Sequence, residues 1–366
     1  MSKIVFITNI PAPYRVDLFY YLQTQVKEHS FHVIYTSAGE DNRSWTVQEE
    51  KMQNTWILNT RVVKLRGKLD TRYIHLPGNV GGVLNKLAPD VVIASEYNPA
   101  ALQAMFWAKT RSKKFIHWTD GTLHSERNIG KVQKLTRKII CGNADACIAS
   151  STKAKEKLLA WGVPEEKIFI SLLTVDISRF QQVQREPVPG RILYVGSMIP
   201  RKGLDLLVEA LPYVKCDFEL RIVGNGTEEE VAGLKTAAEA RGVLNRITFC
   251  GFLQGDALTE EYRKAQVFVL PTREDCFGLV LLEAMCAGVP IVASRYADGA
   301  YDTVLDGVNG CIADPFQPEQ FGICIENTMN MDFFDKNTIS AEKDKFRFEA
   351  VSKGFLDAIA KAESEQ

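Results

Sequence analysis

Short runs rich in valine, isoleucine and other apolar residues alternate with longer stretches whose apolar positions recur at helical spacing, almost throughout the chain. That alternation marks βαβ units and a parallel sheet. In the first half, strands are expected at 4–8, 31–35, 62–65, 91–94, 115–118 and 147–150, with helices over 16–27, 99–108 and 151–161. The stretch QQVQREPVPG, 181–190, is polar and proline-rich without periodicity and reads as a linker. A second series follows, with strands at 191–195, 219–223, 247–250, 267–270 and 291–293 and helices over 204–211, 228–240, 259–265 and 279–287. The expected fold class is therefore α/β, two Rossmann-like domains facing each other across a cleft. The boundaries read as 1–185, 186–345, and a tail, 346–366, whose helix closes back on the first domain. Ligands of such sheets bind beyond the carboxyl ends of the strands, so chemistry is expected on the post-strand loops.

At 366 residues the chain exceeds one ordinary core, and its balance of apolar and charged residues is that of a globular protein. A formal net charge of -1 and a pI near 6.6 give no global attraction to nucleic acid or to an anionic membrane. The eight cysteines, 141, 147, 216, 250, 276, 286, 311 and 324, form no C-x-x-C pair, and several lie inside apolar runs. They are expected to be reduced and buried, as in a cytoplasmic protein. The opening MSKIVFITNIP is too short for a signal-peptide core, and no later segment reaches about 18 apolar residues, so any membrane role is expected to be peripheral.

The most informative segment is PTREDCFGLVLLEAMCAGVPIVAS, 271–294. A strand ends at Leu270, a loop carries Glu274 and Asp275, and Gly278 opens a helix at Leu279 whose free N–H groups can hold an anion. Glu283 lies eight positions after Asp275, in the second turn, so the two acids can grip opposite ends of one ligand; alternatively Glu283 only salt-bridges on its helix. Upstream, the strand at 191–195 runs into GSMIPRKG, 196–203, and the next strand into IVGNGTEEE, 222–230. The glycines there suit close backbone approach to a ligand or simply a tight turn. A dinucleotide fingerprint is excluded, because its third glycine is Glu229.

Taken in order, these segments resemble the GT-B glycosyltransferases of family 4, whose hallmark is two acids separated by seven residues. Here that motif stands as Asp275 and Glu283, with Asp in place of the first Glu. The resemblance implies that Asp275 lies near the donor sugar, that the backbone around Phe277, Gly278 and Leu279 meets the diphosphate, and that Glu283 meets the ribose hydroxyls. GSMIPRKG resembles the family's G-R-x-x-x-x-K-G loop, with Lys202 on the diphosphate and Ser197 where the family has Arg; Gly196 and Arg201 complete the loop, and Arg201 is the residue placed to compensate. Gly224 and Asn225 match the family's glycine turn, and Gly251 and Phe252 the loop beside the nucleotide base. The resemblance implies a nucleoside-diphosphate sugar as donor, UDP-sugar favoured, and transfer with retention to a glycan or lipid-linked acceptor in cell-envelope polysaccharide synthesis.

The first half is less marked. NIPAPYRVDLF, 9–19, stands where many relatives have a Gly-Gly loop; it carries Pro13 and Arg15, the latter an anion binder or a solvated first-turn arginine. After the strand at 115–118 come Thr119, Asp120 and Gly121, and Asp120 is the expected functional residue, with His117 and His124 as alternatives; an N-cap aspartate or a packed histidine is the competing structural reading. The basic stretch 126–140, with Arg127, Lys131, Lys134, Arg137 and Lys138, is expected to form an amphipathic helix, either a solvated face or a contact with anionic membrane. No D-x-D and no metal-ligand spacing occurs, so activity without an essential metal or other cofactor is expected, Lys202 and the helix start at Gly278 carrying the charge of the leaving diphosphate. The rival readings are a GT-B sugar-nucleotide epimerase and a non-catalytic sugar-nucleotide binding subunit.

Overall fold

The computed structural model describes residues 1–41, 46–181, 183–330 and 342–364. The chain divides into two compact units, one of Met1–Gly67, Thr71–Val175 and Phe346–Gln366, the other of Lys68–Asp70 and Asp176–Lys345. The division at Asp176 precedes the stretch 181–190, of which residue 182 lies outside the described residues.

The first unit opens with β1 (Ser2–Thr8), α1 (Pro13–Gln25), β2 (His29–Tyr35) and the short β3 (Thr55–Ile57). There follow β4 (Thr60–Arg66), β5 (Thr71–Pro77), α2 (Val80–Leu87), β6 (Val91–Ser95), α3 (Pro99–Lys109) and β7 (Lys114–Thr119). α4 (Lys131–Asn143), β8 (Ala146–Ala149), α5 (Thr152–Ala160) and β9 (Ile168–Ile170) complete the series. Seven strands form a parallel sheet in the order β3-β2-β1-β6-β7-β8-β9. Side chains alternate across it, as a period of two demands. Phe6, Ile93, Trp118 and Ile148 face α1, whereas Val5, Val92, Phe115 and Cys147 face α2 to α5.

The run 62–65 was expected to join the parallel series. Instead β4 pairs antiparallel with β5 in a separate two-stranded ribbon. A parallel neighbour needs a crossover of a dozen or more residues, and only 67–70 separate these strands, so the chain turns straight back. The helix expected over 126–140 begins only at Lys131, capped at Gly130 by the Gln133 side chain.

The second unit runs α6 (Ser178–Gln181), β10 (Arg191–Val195), α7 (Leu204–Ala210), β11 (Glu219–Val223), α8 (Glu228–Ala240), β12 (Ile247–Gly251) and α9 (Asp256–Lys264). It continues through β13 (Val267–Leu270), α10 (Leu279–Cys286), β14 (Ile291–Ser294), α11 (Ala300–Thr303), β15 (Gly310–Ala313) and α12 (Pro318–Met329). Its six parallel strands lie in the order β12-β11-β10-β13-β14-β15, the dinucleotide-fold order 3-2-1-4-5-6. In each sheet the winding direction reverses beside the first strand, between β1 and β6 and between β10 and β13. A crevice opens at such a reversal, beyond the carboxyl ends of the strands.

The last helix, α13 (Phe348–Ser364), belongs to the first unit. Phe355 sets its ring edge against Trp118 and Phe6, at 5.1 and 5.5 Å between centroids. Gly354 lets the helix approach β9, because a Cβ there would stand 2.1 Å from the Ile170 carbonyl oxygen.

The expectation that all cysteines are reduced and buried needs correction. Cys311 on β15 and Cys324 on α12 are joined in a disulfide, 13 residues apart in sequence. Spacing alone hides this pair, since only the packing of α12 on β15 brings the sulfurs together. Of the free cysteines, Cys147 and Cys286 are buried, while Cys141, Cys216, Cys250 and Cys276 are half-buried.

Candidate functional site

In the second unit, three glycines let the loops at the carboxyl ends of the strands close on one another. Gly224 has φ +144°, and a Cβ there would lie 1.9 Å from the carbonyl oxygen of Gly196. Its N–H donates to the carbonyl of Gly251 at 2.8 Å, and Met198 N–H donates to the carbonyl of Asn225. The carbonyl of Ser197 accepts from the Tyr194 hydroxyl at 2.8 Å. Phe252 follows Gly251, half exposed.

One turn later, Arg201 and Lys202 sit in a short 3-10 turn ended by Gly203 at φ +69°. A Cβ at Gly203 would stand 2.2 Å from the carbonyl oxygen of Pro271, so this glycine seats the β10 loop on the β13 loop. The seam is closed by Arg273 N–H and the Thr272 hydroxyl, both donating to the Arg201 carbonyl at 2.9 Å. Across it the Lys202 ammonium donates to Asp275 at 2.5 Å. Burial would push the Asp275 carboxyl up, but the charges of Lys202 and Arg201 outweigh it and hold the group below the ordinary carboxylate range.

Arg201 is held by the loops around it. It donates to Asp70 at 2.9 Å and to the Glu274 carbonyl at 3.0 Å, and it stands 4.0 Å from Asp275. From Asp275 the chain passes through buried Phe277 to Gly278, which caps α10 in the left-handed region, φ +79°. A glycine offers no side chain to the first N–H groups from Leu279 onward, so that end of the helix keeps its partial positive charge. In the second turn, Glu283 accepts from the Tyr262 hydroxyl at 2.8 Å. Burial raises its carboxyl to about 7, with Tyr262 and Arg179 pulling the other way.

The first unit carries a cation–carboxylate pair at the corresponding place. Arg15, two residues after Pro13 in α1, reaches to the carboxyl ends of the strands and donates to Asp120 at 2.7 Å, as well as to Thr8 and, at 3.4 Å, to Ser95. Its guanidinium lies 4.5 Å from the centre of the Trp118 ring and is 7% exposed. Arg15 is therefore not the solvated first-turn arginine of the alternative reading, and its charge meets Asp120. The other Asp120 oxygen accepts from the Ser150 hydroxyl at 2.5 Å, and its backbone N–H donates to Glu96 at 2.9 Å. Glu96 follows β6 in the left-handed region, φ +63°, a strained setting for glutamate. Burial and then the Asp120 charge push its carboxyl to about 7, against Lys157 and Arg15.

The two histidines named as alternatives to Asp120 are held differently from each other. His117 is fully buried by the alternation of β7, on the face opposite Trp118, with its ring 4.4 Å from Tyr97. Burial foremost, then the charges of Lys157 and Arg137, keep it neutral. His124 is half-buried in the loop ahead of α4, where its carbonyl accepts from Arg127. Arg137, read as part of a basic face, is buried instead and forms a two-pronged pair with Glu126 at 2.7 and 2.9 Å. Among the described residues no group of three or more His, Cys, Asp or Glu is placed to hold a metal ion.

Residues 18–179 match the family Glycosyltransferase Family 4, and residues 189–330 match Glycosyl transferases group 1. The chain belongs to this glycosyltransferase family. An uncharacterized glycosyltransferase of Methanocaldococcus jannaschii is 32% identical over 141 residues, 38% of this chain and 35% of that protein. A D-inositol 3-phosphate glycosyltransferase of Acidothermus cellulolyticus is 29% identical over 218 residues, 52% and 48% of the two chains. The chain thus spans about a third to a half of the length of these curated relatives. Among solved structures, Anabaena HepE in complex with UDP shares the fold, with a TM-score of 0.78 at 18% identity over 98% of this chain and 99% of that one.

Within this GT-B fold, two residues at the sites escaped sequence reasoning. Glu96 stands directly after a strand, a position that the rule of carboxyl-end loops could have flagged. Tyr262 gave no signal at all, because a tyrosine on the buried side of a helix reads as core.

Proposed function

We propose that this family 4 glycosyltransferase moves a sugar from a nucleoside-diphosphate sugar, UDP-sugar favoured, to a hydroxyl of a glycan or lipid-linked acceptor, with retention. The observation that carries the reading is the Lys202–Asp275 pair at 2.5 Å across the β10–β13 seam, one turn from the uncapped start of α10. A leaving diphosphate gains negative charge as its glycosidic bond breaks, and a fixed cation beside a helix N-terminus stabilises that charge. Lys202 would exchange part of its bond to Asp275 for the phosphate, leaving the carboxylate to accept from sugar hydroxyls. Those two devices do the work of a divalent ion, so we propose turnover that survives chelation. The Anabaena neighbour's UDP supports the choice of nucleotide.

In the first unit the paired Arg15 and Asp120 would order the acceptor side, as rigid polar groups beyond β1 and β7. Contact with anionic membrane, as expected for an enzyme of envelope polysaccharide synthesis acting from the cytoplasmic face, would run through α4. There Val132 and Leu135 stand exposed beside Lys131, Lys134 and Lys138.

The test is a thermal-shift screen against UDP, GDP, ADP, CMP and their sugars, with and without Glu283→Ala, followed by turnover of the stabilising donor in EDTA. Stabilisation by one diphosphonucleoside, lost in the variant, supports the donor site. No shift with any nucleotide at millimolar concentration sinks the reading; isomerisation of the sugar without transfer points to an epimerase.

A further inference from the structure

Glu283 is the only charged residue in α10; the rest of the helix is Leu279, Val280, Leu281, Leu282, Ala284, Met285 and Cys286. Among the described residues it has no ion-pair partner. What holds it is a hydroxyl: Tyr262, on α9, donates to Oε2 at 2.8 Å. Tyr262 is 0% exposed, wedged edge-on against Phe180 at 5.7 Å and beside Phe268 at 5.9 Å, so its O–H cannot turn to solvent and has one aim. A desolvated carboxylate without a counter-ion is costly unless further donors complete its shell. After the tyrosine bond, Oε1 and one lone pair of Oε2 are left to accept.

A pair of neighbouring hydroxyls supplies two donors at that spacing. We propose that Tyr262 is a positioning residue that orients Glu283 for the vicinal diol of the donor's ribose, and that this makes donor binding dependent on the ionisation of Glu283. The inference rests on the nucleotide-sugar reading above. The groups that face Glu283 are Tyr262 from α9 and the Arg179 charge from α6; α10 itself contributes none. With burial dominant, the carboxyl sits at about 7 in the free chain. The neutral acid has to donate one hydrogen bond and accepts less well, whereas the carboxylate accepts from both hydroxyls. Binding of a diol therefore favours the ionised form, and by reciprocity affinity for the diol rises with pH through the free-state value.

A nucleotide's phosphate titrates near neutrality too, so the readout has to be a ratio. Affinities of matched pairs, UDP with 2′-deoxy-UDP, GDP with 2′-deoxy-GDP and ADP with 2′-deoxy-ADP, are measured by calorimetry from pH 5.5 to 8.5 on the full chain. Each pair shares its phosphate titration and differs by one hydroxyl. The expected preference for the ribonucleotide is roughly tenfold or more at pH 8 and falls to a few-fold at pH 5.5, in line with the loss of one charge-assisted hydrogen bond. Tyr262→Phe, which removes only the donated bond, should move the midpoint of that fall to higher pH, since the ionised form loses a stabilising donor. Glu283→Gln should make the ratio flat with pH. A flat ratio in the unaltered chain that binds the ribonucleotide, or an unmoved midpoint in Tyr262→Phe, overturns the inference. Failure of every nucleotide to bind at every pH instead overturns the nucleotide-sugar reading.

Discussion

The two carboxyl-end clusters are built alike and differ in what holds them. Each sits where its sheet reverses winding, and each pairs a cation with an aspartate, Lys202 with Asp275 at 2.5 Å and Arg15 with Asp120 at 2.7 Å. Each also keeps a glutamate raised to about 7, Glu283 and Glu96. In the second unit the cation is a lysine on a loop seam, and the glutamate is raised by burial alone on an unstrained helix. In the first, the cation is an arginine locked against Trp118, Thr8 and Ser95, and the glutamate is raised by burial and by Asp120 on a left-handed backbone. A flexible ammonium can trade its partner for a phosphate; a guanidinium fixed on several sides cannot do so without unpacking. The second cluster is built to exchange, the first to stay put.

The largest effect that separates them is on stability. Asp120→Ala removes the carboxylate paired with the buried Arg15 and is expected to lower the free energy of unfolding by about 3–5 kcal/mol, measured by urea denaturation. Lys202→Ala should lower kcat by about 10²–10³-fold while moving the urea midpoint far less, because Asp275 keeps Arg201 at 4.0 Å. Equal stability losses at both sites would erase the distinction between them.

A smaller effect appears with pH. Folding raises both glutamates from 4.5 to about 7, so the stability they contribute is complete below pH 4.5 and is lost as pH climbs to about 7. Replacing Glu283 with Gln removes that loss and should leave the variant about 2–3 kcal/mol more stable than the parent at pH 8, with no advantage at pH 4. Glu96→Gln should gain a similar amount, because its carboxyl is raised to the same value even with the Lys157 and Arg15 charges opposing the shift.

Gly224→Ala, which drives a Cβ into the Gly196 carbonyl oxygen at 1.9 Å and imposes φ +144° on alanine, should cost about 2 kcal/mol or more and weaken nucleotide binding along with stability. At the other end, Val132→Asp on the exposed face of α4 should change stability by less than about 0.5 kcal/mol. Its measurable consequence is weaker sedimentation with anionic vesicles, and unchanged sedimentation would remove α4 from the membrane proposal.

Much of this was legible in the chain. The strands β10, β11 and β13 and the helix α8 begin and end where hydrophobic periodicity puts them, because each is bounded by a polar or glycine break. Edges and ribbons were harder. The run 62–65 has a strand's composition, but whether it joins a sheet or folds back depends on the partner that the next turn brings. The helix α2 carries two glycines, Gly81 and Gly82, and escaped notice because its first turn is stabilised by the Asn79 side chain rather than by propensity. Of the residues that the two clusters bring together, Asp275 and Glu283 were named from their spacing and Lys202 from the family resemblance, whereas Glu96 and Tyr262 were not named.

Local pattern determined the order of strands and helices, the glycines that loops need, and the family to which the chain belongs, since each depends on neighbours within a few residues. Tertiary structure alone decided which charges meet: that Arg15 spends its charge on a residue 105 positions away, that Cys311 finds Cys324, and that Tyr262 aims its hydroxyl at Glu283. Burial sets the cost of a charge and packing sets its partner, and neither is a property of the residue type or of its distance along the chain.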